Sequence, residues 1–265
     1  MTESAQLLEL AVAAARKAGE FLLDARPADL VVRTKSTPTD VVTQMDTAAE
    51  QLIAATIRAS RPDDAFVGEE GSDVGASDGR RVRWIVDPID GTVNYLYDLP
   101  QWAISIAAEV GGVVVAAAVL DPSKRELFTA QFGGGAYLNG APIRVTSCTE
   151  LSQALVGTGF GYDARRRARQ AQVLTGVLPR VRDIRRLGAA SLDLCSLACG
   201  RLDGYFERGL NLWDHAAAGL IAAEAGARVE GLHGRQPSDE ILVAAPPGVF
   251  AALHDLVAGL GADHD

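Results

Sequence analysis

Trp84-Ile-Val-Asp-Pro-Ile-Asp-Gly-Thr92 is the stretch on which the reading of this chain turns. The run Arg81 to Val86 has the composition of a buried strand and leads straight into Asp87. Pro88 fixes its own φ and biases Asp87 toward extended backbone, so the strand is expected to stop there and the chain to turn. The Asp87 and Asp90 carboxylates can then face one side of the turn, where a cation could bridge them with the Ile89 carbonyl. Gly91 lets the backbone approach an anion, and Thr92, Val93 and Asn94 are expected to open a helix whose free N–H groups attract one. Read in isolation, Asp, Pro and Gly in this order are equally the residues of an ordinary turn.

Further acids sit at comparable places. Ala65-Phe-Val-Gly68 reads as a short strand that ends in Glu69-Glu70, Glu207 closes another strand, and Asp214 stands in Trp213-Asp-His-Ala-Ala-Ala-Gly219 at the start of a helix. Each has a plain alternative, solvation for the glutamates and helix-dipole stabilisation for Asp214. Together they are the oxygen ligands that hard cations take, and Mg²⁺ is bound by a few carboxylates plus substrate phosphate. The set therefore reads as a metal-assisted phosphate ester hydrolase. No His, Cys or Ser offers itself as a nucleophile. His215 is a lone histidine in an apolar helix, and His233, His254 and His264 lack partners in sequence. Cys148, Cys195 and Cys199 form no Cys-x-x-Cys pair, and Cys195 and Cys199, four apart, read as buried small hydrophobes.

Around these motifs the pattern divides in two. Helices are expected over Gln6–Leu23 and from Thr43, where Thr43-Gln-Met-Asp46 has the form of a capping box, to about Ser60. Ala103–Val110 and Val113–Leu120 read as a hairpin about Gly111-Gly112, extended by Glu126–Gln131 into an antiparallel meander. The Gly133-Gly-Gly135 run has no helix after it and reads as a hairpin turn, not a nucleotide loop. From Ala154 short strands and helices alternate: strands at Leu155–Thr158, Arg182–Arg185, Gly204–Glu207, Arg228–Glu230 and Ile241–Ala244; helices at Arg165–Leu178, Ser191–Ala198, Trp213–Ala225 and Pro247–Leu260. The expected class is α/β, with an α+β subdomain at 1–147 and an α/β subdomain at 148–265, packed tightly enough for a ligand to lie between them.

The 34 acidic and 25 basic side chains give a net charge of −9, which argues against general nucleic-acid binding, a process that runs on Lys and Arg. The longest apolar run, Val113 to Leu120, falls far short of the ~20 residues of a membrane helix, and no secretory signal is visible, so a cytoplasmic protein is expected. The basic clusters Arg165–Arg169 and Arg180–Arg186 read most simply as a solvated face, with a partner surface or recognition of a more anionic substrate as alternatives.

Trp84 to Thr92, Trp213 to Ala218, Gly68-Glu-Glu70 and Lys35-Ser-Thr-Pro-Thr-Asp40 with Thr43 and Asp46 resemble, in that order, the motifs of the inositol monophosphatase family. The resemblance implies a layered αβαβα sandwich and a homodimer that uses two to three Mg²⁺ ions and is inhibited by Li⁺. It implies one ion on Glu69, Asp87 and the Ile89 carbonyl, a second on Asp87, Asp90 and Asp214, and a weaker third on Glu69 with Asp46 nearby. Gly91 and Thr92 would bind the phosphate. Glu207, with the backbone of Gly188, Ala189 and Ala190, would bind a substrate hydroxyl, and Asp90 and Asp214 also border the substrate. Glu69 and Thr92 would orient the attacking water, and Glu70 would lie outside the ligand set. The implied activity is hydrolysis of a small phosphorylated polyol, foremost myo-inositol 1-phosphate to inositol and phosphate. Fructose 1,6-bisphosphate, NADP and histidinol phosphate are substrates within the same family. A regulatory binding role for the arginine-rich face is the alternative of a different class.

Overall fold

The computed structural model describes residues 2–27, 32–71 and 81–264. Helix α1 (Glu3–Asp24) begins where the Thr2 hydroxyl accepts the Ala5 N–H, and it buries Leu7, Ala11, Ala14, Ala18 and Leu22 on one stripe. A short antiparallel pair, β1 (Val32–Thr34) and β2 (Val41–Thr43), leads into α2 (Gln44–Arg58). The expected capping box is present: Asp46 Oδ2 accepts the Thr43 N–H at 2.8 Å while the Thr43 hydroxyl accepts the Met45 N–H.

A seven-stranded sheet follows, in spatial order β3 (Ala65–Gly68), β4 (Val82–Asp90), β5 (Ala103–Val110), β6 (Val113–Asp121), β7 (Glu126–Gln131), β8 (Gly135–Leu138) and β9 (Ala141–Pro142), with the short α3 (Thr92–Leu96) between β4 and β5. Only β3 joins parallel; every later pair is antiparallel. Gly111 and Gly112, at φ 61° and 82°, supply the left-handed backbone that a tight turn between β5 and β6 requires. Side chains alternate across the sheet. Trp84, Val86, Ile104 and Ile106 pack beneath α1 and α2, while Ile85, Ala103 and Ala107 face the opposite way.

The rest of the chain runs β10 (Leu155–Thr158), α4 (Ala164–Val177), β11 (Asp183–Arg185), α5 (Ala190–Ala198), β12 (Gly204–Glu207), α6 (Leu212–Glu224), β13 (Arg228–Glu230), β14 (Leu242–Ala245) and α7 (Pro247–Gly259). Its five strands lie in the order β11-β10-β12-β14-β13, with β10 parallel to β11 and β12. Leu194, Leu197, Ala217 and Ile221 of α5 and α6 join Ile85 and Ala107 of the large sheet and Tyr205 and Leu242 of the small one in a single core. Val156, Phe206 and Val243 point outward against Val173, Phe250 and Leu253 of α4 and α7. The layers are therefore helices, sheet, helices, sheet, helices, the αβαβα sandwich expected. No helix among the described residues is long and apolar enough to cross a membrane.

One local expectation is corrected. The strand does not stop at Asp87: the β4–β5 ladder resumes at Asp90, opposite Ala103, after a register shift that follows the Asp87–Ser105 pair. Proline cannot donate to a ladder, so within a sheet it is placed at a bulge, and Pro88 and Ile89 are the residues displaced here. The bulge, in place of a turn, sets Asp87 and Asp90 side by side at the strand end.

Candidate active site

Strands β3 and β4 run parallel, so Glu69 and Asp87 leave the sheet at the same end, with the Glu69 N–H donating to the Val86 carbonyl. Glu69, Asp87, Asp90 and Asp214 line one cavity of about 530 Å³, within the usual size for a small-molecule site. The Ile89, Gly91 and Thr92 positions and the 188–190 segment border the same space, as does Glu207. Asp46 lies one contact behind it, bonded to Thr92.

Each acid is held by the fold. Asp87, 1% exposed, accepts the Ile89 N–H at 3.0 Å, a local turn bond made possible by the bulge. Asp90 reaches across to the first turn of α5 and accepts the N–H groups of Ala190 (3.2 Å) and Ser191 (2.7 Å) as well as the Ser191 hydroxyl. A carboxylate at a helix N-terminus satisfies free donors and meets the positive end of the helix dipole. Asp214 caps its own helix by accepting the Asn211 N–H at 2.6 Å. The helix-cap reading of Asp214 and the cavity-lining reading thus hold together.

Burial raises the Asp87, Asp90 and Asp214 carboxyls above the ordinary carboxylate range, Asp90 to about 6. Glu69 adds to the rise at all three, and the hydrogen bonds from Ser191 restrain it at Asp90. Carboxylates so crowded have a shared demand for positive charge. Part of it is met by Lys35, whose Nζ lies 2.9 Å from Glu69 Oε1 and 2.5 Å from Glu70 Oε1. Burial would lower this ammonium, but the two glutamates outweigh it and raise it. Among the described residues no three His, Cys, Asp or Glu side chains are already drawn into a closed ligand set. The four carboxylates are spoken for by backbone N–H groups, Ser191 and Lys35 instead.

Thr92 is positioned from both sides: its hydroxyl lies 2.9 Å from Asp46 Oδ1 and 3.0 Å from the Ile89 carbonyl. Its single proton is committed to those acceptors, which leaves oxygen lone pairs for a donor in the cavity. Gly91, at φ 92°, fits where a Cβ would meet the Gln101 carbonyl at 2.9 Å, so it is needed for close chain packing as well as for its left-handed backbone. The Ala190 N–H, assigned above to substrate, is donated to Asp90.

Glu207, pushed up to about 7 by burial against the opposing pull of the Tyr205 hydroxyl and Arg186, lines the same cavity. A Cβ on Gly159 would fall 2.1 Å from its carboxylate oxygens. The loop carrying Gly159 is tied to the β1–β2 connection, where the Thr39 hydroxyl donates to the Tyr162 carbonyl at 3.1 Å. His215, pushed down to about 4 by burial, lies outside the cavity lining.

Two features escape the sequence reading and one is read only as an alternative. Glu50, 1% exposed, accepts the Glu70 N–H at 2.8 Å, and its carboxylate takes the room that glycine at 68 leaves. An acid in line with Ala49, Ile53 and Ile57 on the buried face of α2 was the available signal. Ser191 had none. Arg166 and Arg186, read most simply as part of a solvated face with recognition of a more anionic substrate as an alternative, line the cavity.

The profile of the inositol monophosphatase family matches residues 3–261. The inositol-1-monophosphatase SuhB of Mycobacterium tuberculosis is 49% identical over 233 residues, 85% of this chain and 80% of that protein. The Nus factor SuhB of Vibrio cholerae is 40% identical over 255 residues, 94% of this chain and 95% of its own. The crystal structure of the extragenic suppressor protein suhB from Bartonella henselae superimposes with a TM-score of 0.89 at 34% identity, covering 95% of this chain and 98% of that one. A five-layered fold, acids gathered at the end of a bulged strand and a family match over nearly the whole length lead to one conclusion: this chain belongs to the inositol monophosphatase family.

Proposed function

We propose that this protein is a Mg²⁺-dependent phosphatase of small phosphorylated polyols, with myo-inositol 1-phosphate as its foremost substrate. The observation that carries the reading is the convergence of Glu69, Asp87, Asp90 and Asp214, from separate elements, on one cavity. Their donor set is all hard oxygen, which suits Mg²⁺ and not a soft or redox metal. Glu69, Asp87 and the Ile89 carbonyl would hold one ion, and Asp87, Asp90 and Asp214 a second. A third would contend with Lys35 for Glu69, and Li⁺ would inhibit by taking the place of one ion. When bound, Mg²⁺ supplies neutralisation of the phosphate dianion and acidification of a water.

The chain's own groups do the positioning. With its proton held by Asp46 and the Ile89 carbonyl, the Thr92 hydroxyl accepts from the attacking water, and Glu69 accepts on the other side. Gly91 and Thr92 turn backbone N–H groups toward the phosphate. Glu207 accepts a hydroxyl of the polyol, and the 188–190 backbone shapes the wall beside it. Water displaces the alcohol in line, and no phosphoenzyme forms.

Asp90→Asn tests the assignment. Mg²⁺-dependent phosphate release should fall by about 10²-fold or more, because one ligand charge is lost where the transition state gathers negative charge. Undiminished turnover would refute the mechanism. The likeness to a Nus factor supports a second reading, a regulatory contact with another macromolecule; cellular function retained by the inactive variant would favour that role.

A further inference from the structure

The strand that ends in Glu207 places a buried hydroxyl beside it. Tyr205 and Glu207 stand two apart on β12, so their side chains leave the same face of the small sheet. Tyr205 is fully buried, and its hydroxyl donates to Glu207 Oε2. We propose that Tyr205 is a positioning residue for substrate recognition: it holds Glu207 by one oxygen and leaves Oε1 as the acceptor for a hydroxyl of the alcohol. The inference rests on the phosphatase reading for Glu207 as the group that meets that hydroxyl.

The neighbouring strand makes room for this pair. Strand β10 runs parallel to β12 with Gly157 opposite Tyr205. A Cβ on Gly157 would lie 3.1 Å from Tyr205 Cδ2 and 2.9 Å from Leu202 Cδ1. One on Gly159, just past the end of β10, would fall 2.1 Å from both carboxylate oxygens of Glu207. Neither glycine holds left-handed backbone, so what both supply is space. Gly157-Thr-Gly159 thus answers Tyr205-Phe-Glu207 residue by residue, with Phe206 turned to the opposite face against α4 and α7.

A buried tyrosine hydroxyl takes some partner in any fold, and the choice of partner carries the argument. Tyr95, equally buried, donates to a backbone carbonyl, that of Leu22, at 3.0 Å. Tyr205 donates instead to a carboxylate that lines the cavity. Burial pushes the Tyr205 hydroxyl up, so it keeps its one proton and acts as a donor. Among the described residues it is the one donor to Glu207. The charged groups around Glu207 do not fix its direction: Arg186 draws its carboxyl down and Asp90 raises it, while Glu207 itself raises Asp193 of α5 and Asp214 of α6. Without the Tyr205 bond, Glu207 would be a carboxyl among carboxyls with neither oxygen committed.

Tyr205→Phe removes the hydroxyl and keeps the packing. Two esters in Mg²⁺ read the result: inositol 1-phosphate, which offers hydroxyls, and phenyl phosphate, which offers none. KM for inositol 1-phosphate should rise by about tenfold, the value of one hydrogen bond to a charged group, while the change for phenyl phosphate stays within about twofold. The acid limb of kcat/KM for inositol 1-phosphate should move to higher pH, because the lost bond had lowered Glu207, and that for phenyl phosphate should not move. In a Glu207→Ala background, adding Tyr205→Phe should cost inositol 1-phosphate less than about twofold more, since a positioning residue acts only through the group it holds. Equal losses on the two esters, a full further loss in the Glu207→Ala background or an unchanged KM would reduce Tyr205 to core packing and overturn the proposal. If the wild type does not hydrolyse inositol 1-phosphate, the phosphatase reading fails for that ester, and its calorimetric binding in Mg²⁺ decides the positioning role by itself. Binding weakened about tenfold in Tyr205→Phe supports the role, and binding that is equal in both proteins, or absent from both, overturns it.

Discussion

Two sets of charged residues on the cavity wall are held in opposite ways. In the first the backbone holds the side chains: a bulge presents Asp87 and Asp90, helix N-termini donate to Asp90 and Asp214, and a capping box fixes Asp46 behind Thr92. In the second the backbone withdraws, and glycines at 159, 161, 188 and 209 leave room for Glu207, Arg166 and Arg186. The first device fixes a charge by giving it donors. The second fixes a charge by removing whatever would stand in its place.

If the two sets are independent, a change in one should spare the other. Gly159→Ala puts a methyl 2.1 Å from the Glu207 carboxylate, so KM for inositol 1-phosphate should rise by about tenfold or more while Mg²⁺ affinity, read by titration, stays within about twofold. An equal fall in metal affinity would break the comparison.

A smaller effect sharpens it through pH. Burial raises Glu207 to about 7 and Asp90 to about 6, against about 4 for the same groups in an unfolded chain. Between those values the folded chain holds protons that the unfolded chain has released, so this contribution is complete below pH 4 and is lost as pH rises through about 7. With a chelator present, Tm should therefore fall by several degrees from pH 5 to pH 8, at about 2–4 °C per kcal/mol. Saturating Mg²⁺ should reverse the part due to Asp90, because it binds the deprotonated carboxylates. A Tm that rises over this range without metal would contradict the assignment of the shifts.

The smallest effect is expected one residue from the cavity. Arg165→Ala, on the exposed face of α4, should alter stability by less than about 0.5 kcal/mol and leave phosphate release as it was.

The same contrast governs what the sequence discloses. Asp87, Asp90 and Asp214 are legible because local rules, a proline-bearing strand end and a helix start, put them in short strings of neighbours. The layering is legible in part from the apolar runs of β4 to β6, the helical period of α1 and the capping box of α2. What the sequence hides is whatever depends on distant pairs. Asp90 needs Ser191, about a hundred residues later, and Gly209 has a purpose only once Arg166 lies over it. The end of β4 was misplaced for a related reason: Pro88 carries a bulge or a turn equally well, and only pairing with β5 decides between them.

The central claim is that the gathered acids serve metal-dependent hydrolysis of a phosphate monoester. Phosphate release by the purified chain, measured with Mg²⁺ and again after chelation, on inositol 1-phosphate, fructose 1,6-bisphosphate, NADP and histidinol phosphate, tests it directly. The account predicts release from at least one of these, foremost inositol 1-phosphate, that stops when the metal is removed. No release from any of them, or release that persists without metal, would contradict it.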